Sequence, residues 1–245
     1  MKAAIRLVYP PQCLSCGDTV GDEGALCPAC WPKCAFLNGL VCDCCGAGLP
    51  DGGDMDAAGG KPLCDACLRV RRPWARGRAA VAYRDIGRSL PLALKHGGRA
   101  DLGPALGLWV ARAAAPLILP DMVVAPVPIH PRRLLKRGYN QAALLSSVVV
   151  REYGLAHAPA ALRRIRHTPM QDHRRAAERI ANLDGAIALS PRADLAGRPV
   201  LLVDDVMTSG ATLAACTQAI RAAGAGPVHV AILARADKQP GMNGT

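Results

Sequence analysis

Aromatic side chains are scarce in this chain: one Phe, three Trp and four Tyr among 245 residues. The core must therefore be aliphatic, and a surface that stacks successive nucleic-acid bases on rings would have few rings to use. Long apolar runs are also lacking. The best stretch, Leu102–Leu119, carries Arg112 and two prolines, whereas a membrane-spanning helix needs about 20 mostly apolar residues. Met1–Pro10 has no apolar run of the kind found in secretory signals. Neither a GxSxG nor a P-loop pattern occurs, which argues against serine-hydrolase and NTPase chemistry. The expected compartment is the cytoplasm, where thiols stay reduced. Eleven cysteines in a reducing compartment point to metal rather than to disulfides.

The cysteines are ordered. Cys13-x2-Cys16 is followed after ten residues by Cys27-x2-Cys30, and Cys42-x2-Cys45 is followed after eighteen by Cys64-x2-Cys67. Each CxxC turn aims two thiolates at one point, and two such turns complete a tetrahedral site of the kind Zn²⁺ takes from four sulfurs. Four cysteines leave no open coordination position, so both sites read as structural. Cys34 and Cys44 are spare, and by spacing alone Cys44 competes with Cys45. Cys216 falls on an apolar helix face and reads as a small core residue. Arg69–Arg78 reads as a solvated basic tether.

The net charge is +11, and it is concentrated. Residues 130–180 hold eleven Lys/Arg against three Asp/Glu, whereas residues 181–245 hold five of each. A local excess implies a local polyanionic partner.

Beyond residue 79, short apolar runs (Ala79–Tyr83, Val123–Val127, Val200–Val203, Val228–Leu233) alternate with helical patterns at Gln141–Glu152, Thr212–Ala223 and around Leu102–Ala115. Such alternation implies an α/β fold, a mostly parallel sheet with flanking helices, whose ligands sit beyond the carboxyl ends of the strands. The turn after Val203 stands out. Four aliphatics lead to Asp204 and Asp205, then to Val206, Met207, Thr208, Ser209, Gly210, Ala211 and Thr212, where a helix opens. Backbone N–H groups at a helix start bind phosphate, Gly210 lets the backbone approach closely, and the carboxylates accept hydrogen bonds from sugar hydroxyls. Lys95–Arg99 reads as a connecting turn, and His130 and His167 receive no role.

Val200–Thr212 resembles the phosphoribosyl-pyrophosphate (PRPP) motif of type I phosphoribosyltransferases. Val127-Pro128-Ile129-His130-Pro131, Arg137-Gly138-Tyr139-Asn140-Gln141 and then Thr168, Gln171, Arg179 and Asn182 resemble the ComF family of competence proteins, in which a double zinc ribbon often precedes the transferase-like domain. Ser209 stands where Thr is usual, and Arg174 where an apolar residue is expected. The resemblance implies a double zinc ribbon over 1–70, a basic linker over 71–78, a phosphoribosyltransferase-like domain over 79–236 and a flexible tail over 237–245. It implies Asp204, Asp205 and Arg137 as catalytic residues and Asp204, Asp205 and Met207–Thr212 as the PRPP site. Arg137, Gly138, Tyr139 and Asn140 become the pyrophosphate loop, and Thr168 and Gln171 a lid. Arg132 and Arg133 read equally as pyrophosphate contacts and as a solvated face. The implied cofactors are two structural Zn²⁺ and Mg²⁺ carried with PRPP. Three functions share these features: transfer of phosphoribose to an acceptor, PRPP sensing without turnover, and handling of DNA, with DNA or a DNA-uptake helicase as partner.

Overall fold

The computed structural model describes residues 10–50, 60–96, 98–165 and 186–236. Thr168, Gln171, Arg174, Arg179, Asn182 and the 237–245 tail lie outside them. The aliphatic runs form a five-stranded parallel sheet in the order β1-β7-β6-β2-β3. Its strands are β1 (Arg76–Ala82), β2 (Val123–Pro126), β3 (Ala156–His157), β6 (Val200–Met207) and β7 (Val228–Arg235). A separate antiparallel pair joins β4 (Leu162–Arg164) to β5 (Ile187–Leu189). The helices are α1 (Asp65–Arg69), α2 (Asp85–His96), α3 (Gly103–Ala114), α4 (Pro131–Arg137), α5 (Gln141–Tyr153) and α6 (Ala211–Ala222). Among the described residues no helix is long and apolar enough to cross a membrane.

Near-continuous apolar sequence is what a strand buried on both faces requires, and all eight residues of β7 are buried. Side-chain alternation splits the core. Val124, Leu201, Val203 and Leu233 face α3 and α5, whereas Val123, Leu202, Val230 and Ile232 face α6. The cysteine pairs divide in the same way. Cys13, Cys27 and Cys30 join the first cluster, and Cys42, Cys45 and Cys67 the second. The N-terminal module thus straddles the β1 edge, with one knuckle on each face of the sheet.

An open strand edge leaves unpaired N–H and C=O groups, and here the module covers them. Leu37 N donates to Ala80 O at 3.0 Å, and Ala82 N to Ala35 O at 2.8 Å. Farther along, Gly77 N donates to Asp43 O at 2.9 Å. A Cβ at Gly77 would lie 2.4 Å from Cys44 O, so this close backbone approach requires glycine.

Arg69 and Arg71 are exposed, but for Arg76 and Arg78 the reading of a solvated tether is corrected. Arg76 and Arg78 lie in β1 and bracket the Asp43 carboxylate, with Nη2–Oδ1 distances of 3.0 and 2.8 Å. Asp43 is only 6% exposed. Burial opposes its ionisation, but hydrogen bonds and charge from Arg76 and Arg78 outweigh this and hold its pKa below the usual carboxylate value. The tether reading failed because its arginines resemble a solvated run until their acid, 33 and 35 residues earlier, is brought beside them.

Replacing Asp43 with Ala leaves two guanidiniums without their anion at a mostly buried junction. Partial exposure of Arg76 reduces the cost, and urea unfolding at neutral pH is expected to show a loss of about 2–3 kcal/mol. Because the folded pKa of Asp43 is depressed, the wild-type advantage is present above the unfolded value, near 3.9, and fades as pH falls through the folded one.

Candidate functional site

β2 pairs with β6 only as far as Pro126 opposite Val203, whereas β7 continues beside β6 as far as Arg235 opposite Met207. β6 is therefore longer than the four aliphatics suggest. Asp204 and Asp205 do not cap its tip; they lie within its second half, where one neighbouring strand has stopped. Asp205 N donates to Asp204 Oδ1 at 2.9 Å, and Val206 N to Asp205 Oδ1 at 2.8 Å. Burial, reinforced by the charge of Asp205, pushes the Asp204 carboxyl well above the usual carboxylate range.

The chain then turns through Thr208, Ser209 and Gly210 into α6. Gly210 is the N-cap, in the left-handed region at φ 77°. Two guanidiniums hold the carbonyls of this turn. Arg235, 4% exposed at the end of β7, donates through Nη1 to Met207 O at 3.3 Å and Thr208 O at 3.1 Å. Arg72 donates through Nη1 to Ser209 O at 2.6 Å. The N–H groups of Thr208, Ser209 and Gly210 donate to no protein atom among the described residues; at the start of α6 the Ala211 N–H donates to Ser209 Oγ, and the next N–H groups have no partner within the helix. Carbonyls tied back and amides left over make an anion cradle. The hydroxyl of Ser209 stands at its lip, 3.4 Å from Ala211 N. Met207 and Ala211 are buried, and the Met207 side chain packs under the turn, its Cε 2.7 Å from where a Cβ at Gly210 would stand.

Cations gather around the acids. Burial weakens the protonation of Arg137 while the charge of Asp205 supports it. Lys95 acts on Asp204, and Asp205 on His96, so the end of α2 reaches the carboxyl edge of the sheet. The Tyr139 hydroxyl fixes this approach by donating to Leu94 O at 2.6 Å. The sequence places Lys95 and His96 in a connecting turn, but they form the last turn of α2, which runs on through Pro91. Arg164 in β4 also acts on Asp204 and Cys216, which separates it from the exposed Arg163.

Of the residues expected in the pyrophosphate loop, Arg137 closes the short helix α4 and Gly138 ends it at φ 84°. His130 caps the same helix, its Nδ1 accepting from Arg132 N at 3.2 Å. Asn140 caps α5 through Ala142 N at 3.1 Å and ties it to β2 by donating to Val127 O at 3.0 Å. Asn140 and the Tyr139 hydroxyl thus hold the site together from behind, and Arg137 is the member of this group placed beside the acids. Arg132 is exposed on α4, whereas Arg133 is half-buried and its charge acts on Arg137 and Arg164. Thr168 and Gln171 lie outside the described residues.

The sulfurs of Cys13, Cys16, Cys27 and Cys30 lie within 4.8 Å of one another, and so do those of Cys42, Cys45, Cys64 and Cys67. Four converging thiols in a tight cluster suit structural Zn²⁺, and Cys45 rather than Cys44 completes the second set.

Family models match in two places: a double zinc ribbon domain over residues 4–68 and a phosphoribosyl transferase domain over residues 137–243. The DNA utilization protein YhgH of Salmonella typhimurium is 31% identical over 229 residues, covering 91% of this chain and 89% of the relative. The chain belongs to the YhgH and competence protein F (ComF) family. Competence protein F of Haemophilus influenzae is 36% identical over 127 residues, covering 51% of this chain and 55% of the relative. Among solved structures, adenine phosphoribosyltransferase of Saccharomyces cerevisiae aligns with TM-score 0.35 and 15% identity, over 58% of this chain and 71% of that one.

In this ComF-family chain the acid pair carries a stability cost. The raised folded pKa of Asp204 means that holding it ionised opposes folding at neutral pH. Asp204→Asn is expected to stabilise the folded chain by roughly 1 kcal/mol at pH 7. Thermal unfolding across a pH series should show that gain in full above the folded pKa of Asp204. It should disappear below about pH 3.9, the unfolded value.

Proposed function

We propose that this chain binds PRPP with Mg²⁺ at the carboxyl edge of β6 and transfers its phosphoribosyl group to an acceptor. The observation that carries the reading is the pairing of free amides at Thr208–Gly210 with two carboxylates one turn upstream. An anion cradle alone fits any phosphate. A cradle beside paired acids fits a phosphate on a polyol, with the 5-phosphate on the amides and the ribose hydroxyls donating to Asp204 and Asp205. Mg²⁺ would neutralise pyrophosphate oxygens and suits phosphate, carboxylate and water ligands.

In the transfer, the bond from C1′ to pyrophosphate breaks, the pyrophosphate takes the electron pair, and the acceptor nucleophile bonds to C1′. Positive charge develops on the ribose ring as the leaving group departs. The residues named here act by position and field, with no covalent intermediate on the protein. The acids sit beneath the developing ring charge. Arg137 and Lys95, beside the acids, take the departing negative charge.

The same site would serve a PRPP sensor without turnover, and release of pyrophosphate separates the two. DNA handling is a second reading, favoured by the +8 window over residues 130–180 and by the relatives' names. Salt-dependent DNA binding that survives Asp204→Asn would support it.

Calorimetric titration of PRPP with Mg²⁺ tests the proposal. Wild type should bind, and the Asp204→Asn/Asp205→Asn double variant should lose about 100-fold or more in affinity, the worth of two hydrogen bonds to charged groups. A folded, zinc-loaded wild type that does not bind PRPP would overturn it.

A further inference from the structure

The second metal knuckle touches the phosphate turn through two side chains. Trp74, 4% exposed, donates its indole N–H to Cys44 O at 2.7 Å, inside the Cys42–Cys45 turn. The far corner of its ring, Cη2, lies 3.0 Å from where a Cβ at Gly210 would stand, and Arg72 Nη1 lies 3.4 Å from the same point. Arg72 lies over the Trp74 ring, 5.7 Å from its centroid, and reaches past it to Ser209 O. From Cys44 O to Ser209 O the connection is one indole and one guanidinium, with no intervening loop.

Among the described residues the first knuckle has no such route. Its cysteines join the apolar cluster on the opposite face of the sheet, whereas Cys42, Cys45 and Cys67 share a cluster with Trp74, Met207 and Leu213. A turn with free amides keeps its shape only if its carbonyls and its glycine are held. Ser209 O is held by Arg72, and Gly210 is walled by Trp74 and Arg72, both upstream of β1, together with Met207 Cε from its own turn.

We propose that Arg72 and Trp74 are positioning residues that transmit the order of the Cys42/Cys45/Cys64/Cys67 site to the Thr208–Thr212 cradle. Phosphate-ligand binding then depends on metal at the second knuckle and not directly on metal at the first. The inference rests on the PRPP reading for the identity of the ligand, but the mechanical link stands apart from it. Loss of metal from the second thiol set frees Cys44 O from its place under Trp74. The ring and guanidinium then lose their fixed geometry, and the Ser209 carbonyl is no longer held away from the ligand, while Arg235 keeps its hold on Met207 O and Thr208 O.

The test measures hydrogen exchange of the peptide spanning Met207–Leu213 in the full-length, zinc-loaded protein. Zinc content, the global unfolding midpoint and PRPP–Mg²⁺ affinity are read in parallel. Arg72→Ala is expected to keep two zinc ions and near-wild-type exchange elsewhere in the sheet. Exchange in this peptide should rise, and PRPP affinity fall, by about tenfold, the worth of one charge-assisted hydrogen bond. Arg72→Lys, which keeps a donor on a shorter stem, should recover part of both. Trp74→Phe, which removes the indole N–H while keeping a ring, should act in the same direction as Arg72→Ala. Cys64→Ser should loosen the peptide and Cys13→Ser should not; if either cysteine variant fails to fold, the Arg72 and Trp74 variants still decide. Unchanged exchange and affinity in zinc-loaded Arg72→Ala and Trp74→Phe would overturn the proposal. If wild type binds no PRPP while these variants still loosen the turn, the link stands and the ligand reading falls. If wild type binds and the variants leave both readouts unmoved, the ligand reading stands and the link falls.

Discussion

Asp43 sits between two guanidiniums of the first strand, and through that contact the metal module becomes part of the sheet. The carboxylate is nearly buried, and both arginines belong to β1. Such an arrangement resists loss of either partner, because the charge left behind would be stranded in a poorly hydrated place. It also sets the register in which Gly77 lies against Cys44 O. From that register follow the position of Trp74 and Arg72 just upstream and their reach to the turn at Ser209 and Gly210. The ribbon is thus a cover for the β1 edge and a wall of the core on both faces, not an appendage on a tether.

At the other end of β6 the balance is reversed. Two adjacent carboxylates sit where the strand has lost one neighbour, and burial with the Asp205 charge pushes the Asp204 carboxyl well above the usual carboxylate range. Nothing in packing calls for a second acid there. Cations from three directions offset the cost: Lys95 from α2, Arg137 from α4 and Arg164 from β4. A strained, charge-dense site on a rigid sheet is what a ligand with both hydroxyls and phosphates would stabilise, and stability given up at a site in this way is a common signature of function.

Much of this was legible in the sequence. The apolar runs mark four strands because strands buried on both faces have little choice of residue. The CxxC spacings mark both metal sites because two turns are enough to converge four sulfurs. The helix at Gln141 was readable from its apolar spacing. What the sequence hid is the long-range pairing. Arg235 looks like the polar end of a strand, yet it holds two carbonyls of the cradle. Arg72 looks like one of a row of solvated arginines, yet it holds a third, 137 residues away. Asn140 belongs to a recognisable motif, and the sequence does not show that its amide also caps α5 and donates to Val127 O. β6 was read four residues short because the two acids resemble the end of a strand, and only the continuing β7 ladder shows otherwise.

The account turns on the cradle and the acid pair being one site for one ligand. A crystal structure of the zinc-loaded protein with PRPP and Mg²⁺ tests this most directly. The account predicts the 5-phosphate on the N–H groups of Thr208–Thr212, the ribose hydroxyls on Asp204 and Asp205, and the carbonyls of Met207, Thr208 and Ser209 still held by Arg235 and Arg72. A phosphate bound elsewhere, or a cradle that engages phosphate while the ribose turns away from both acids, would contradict it.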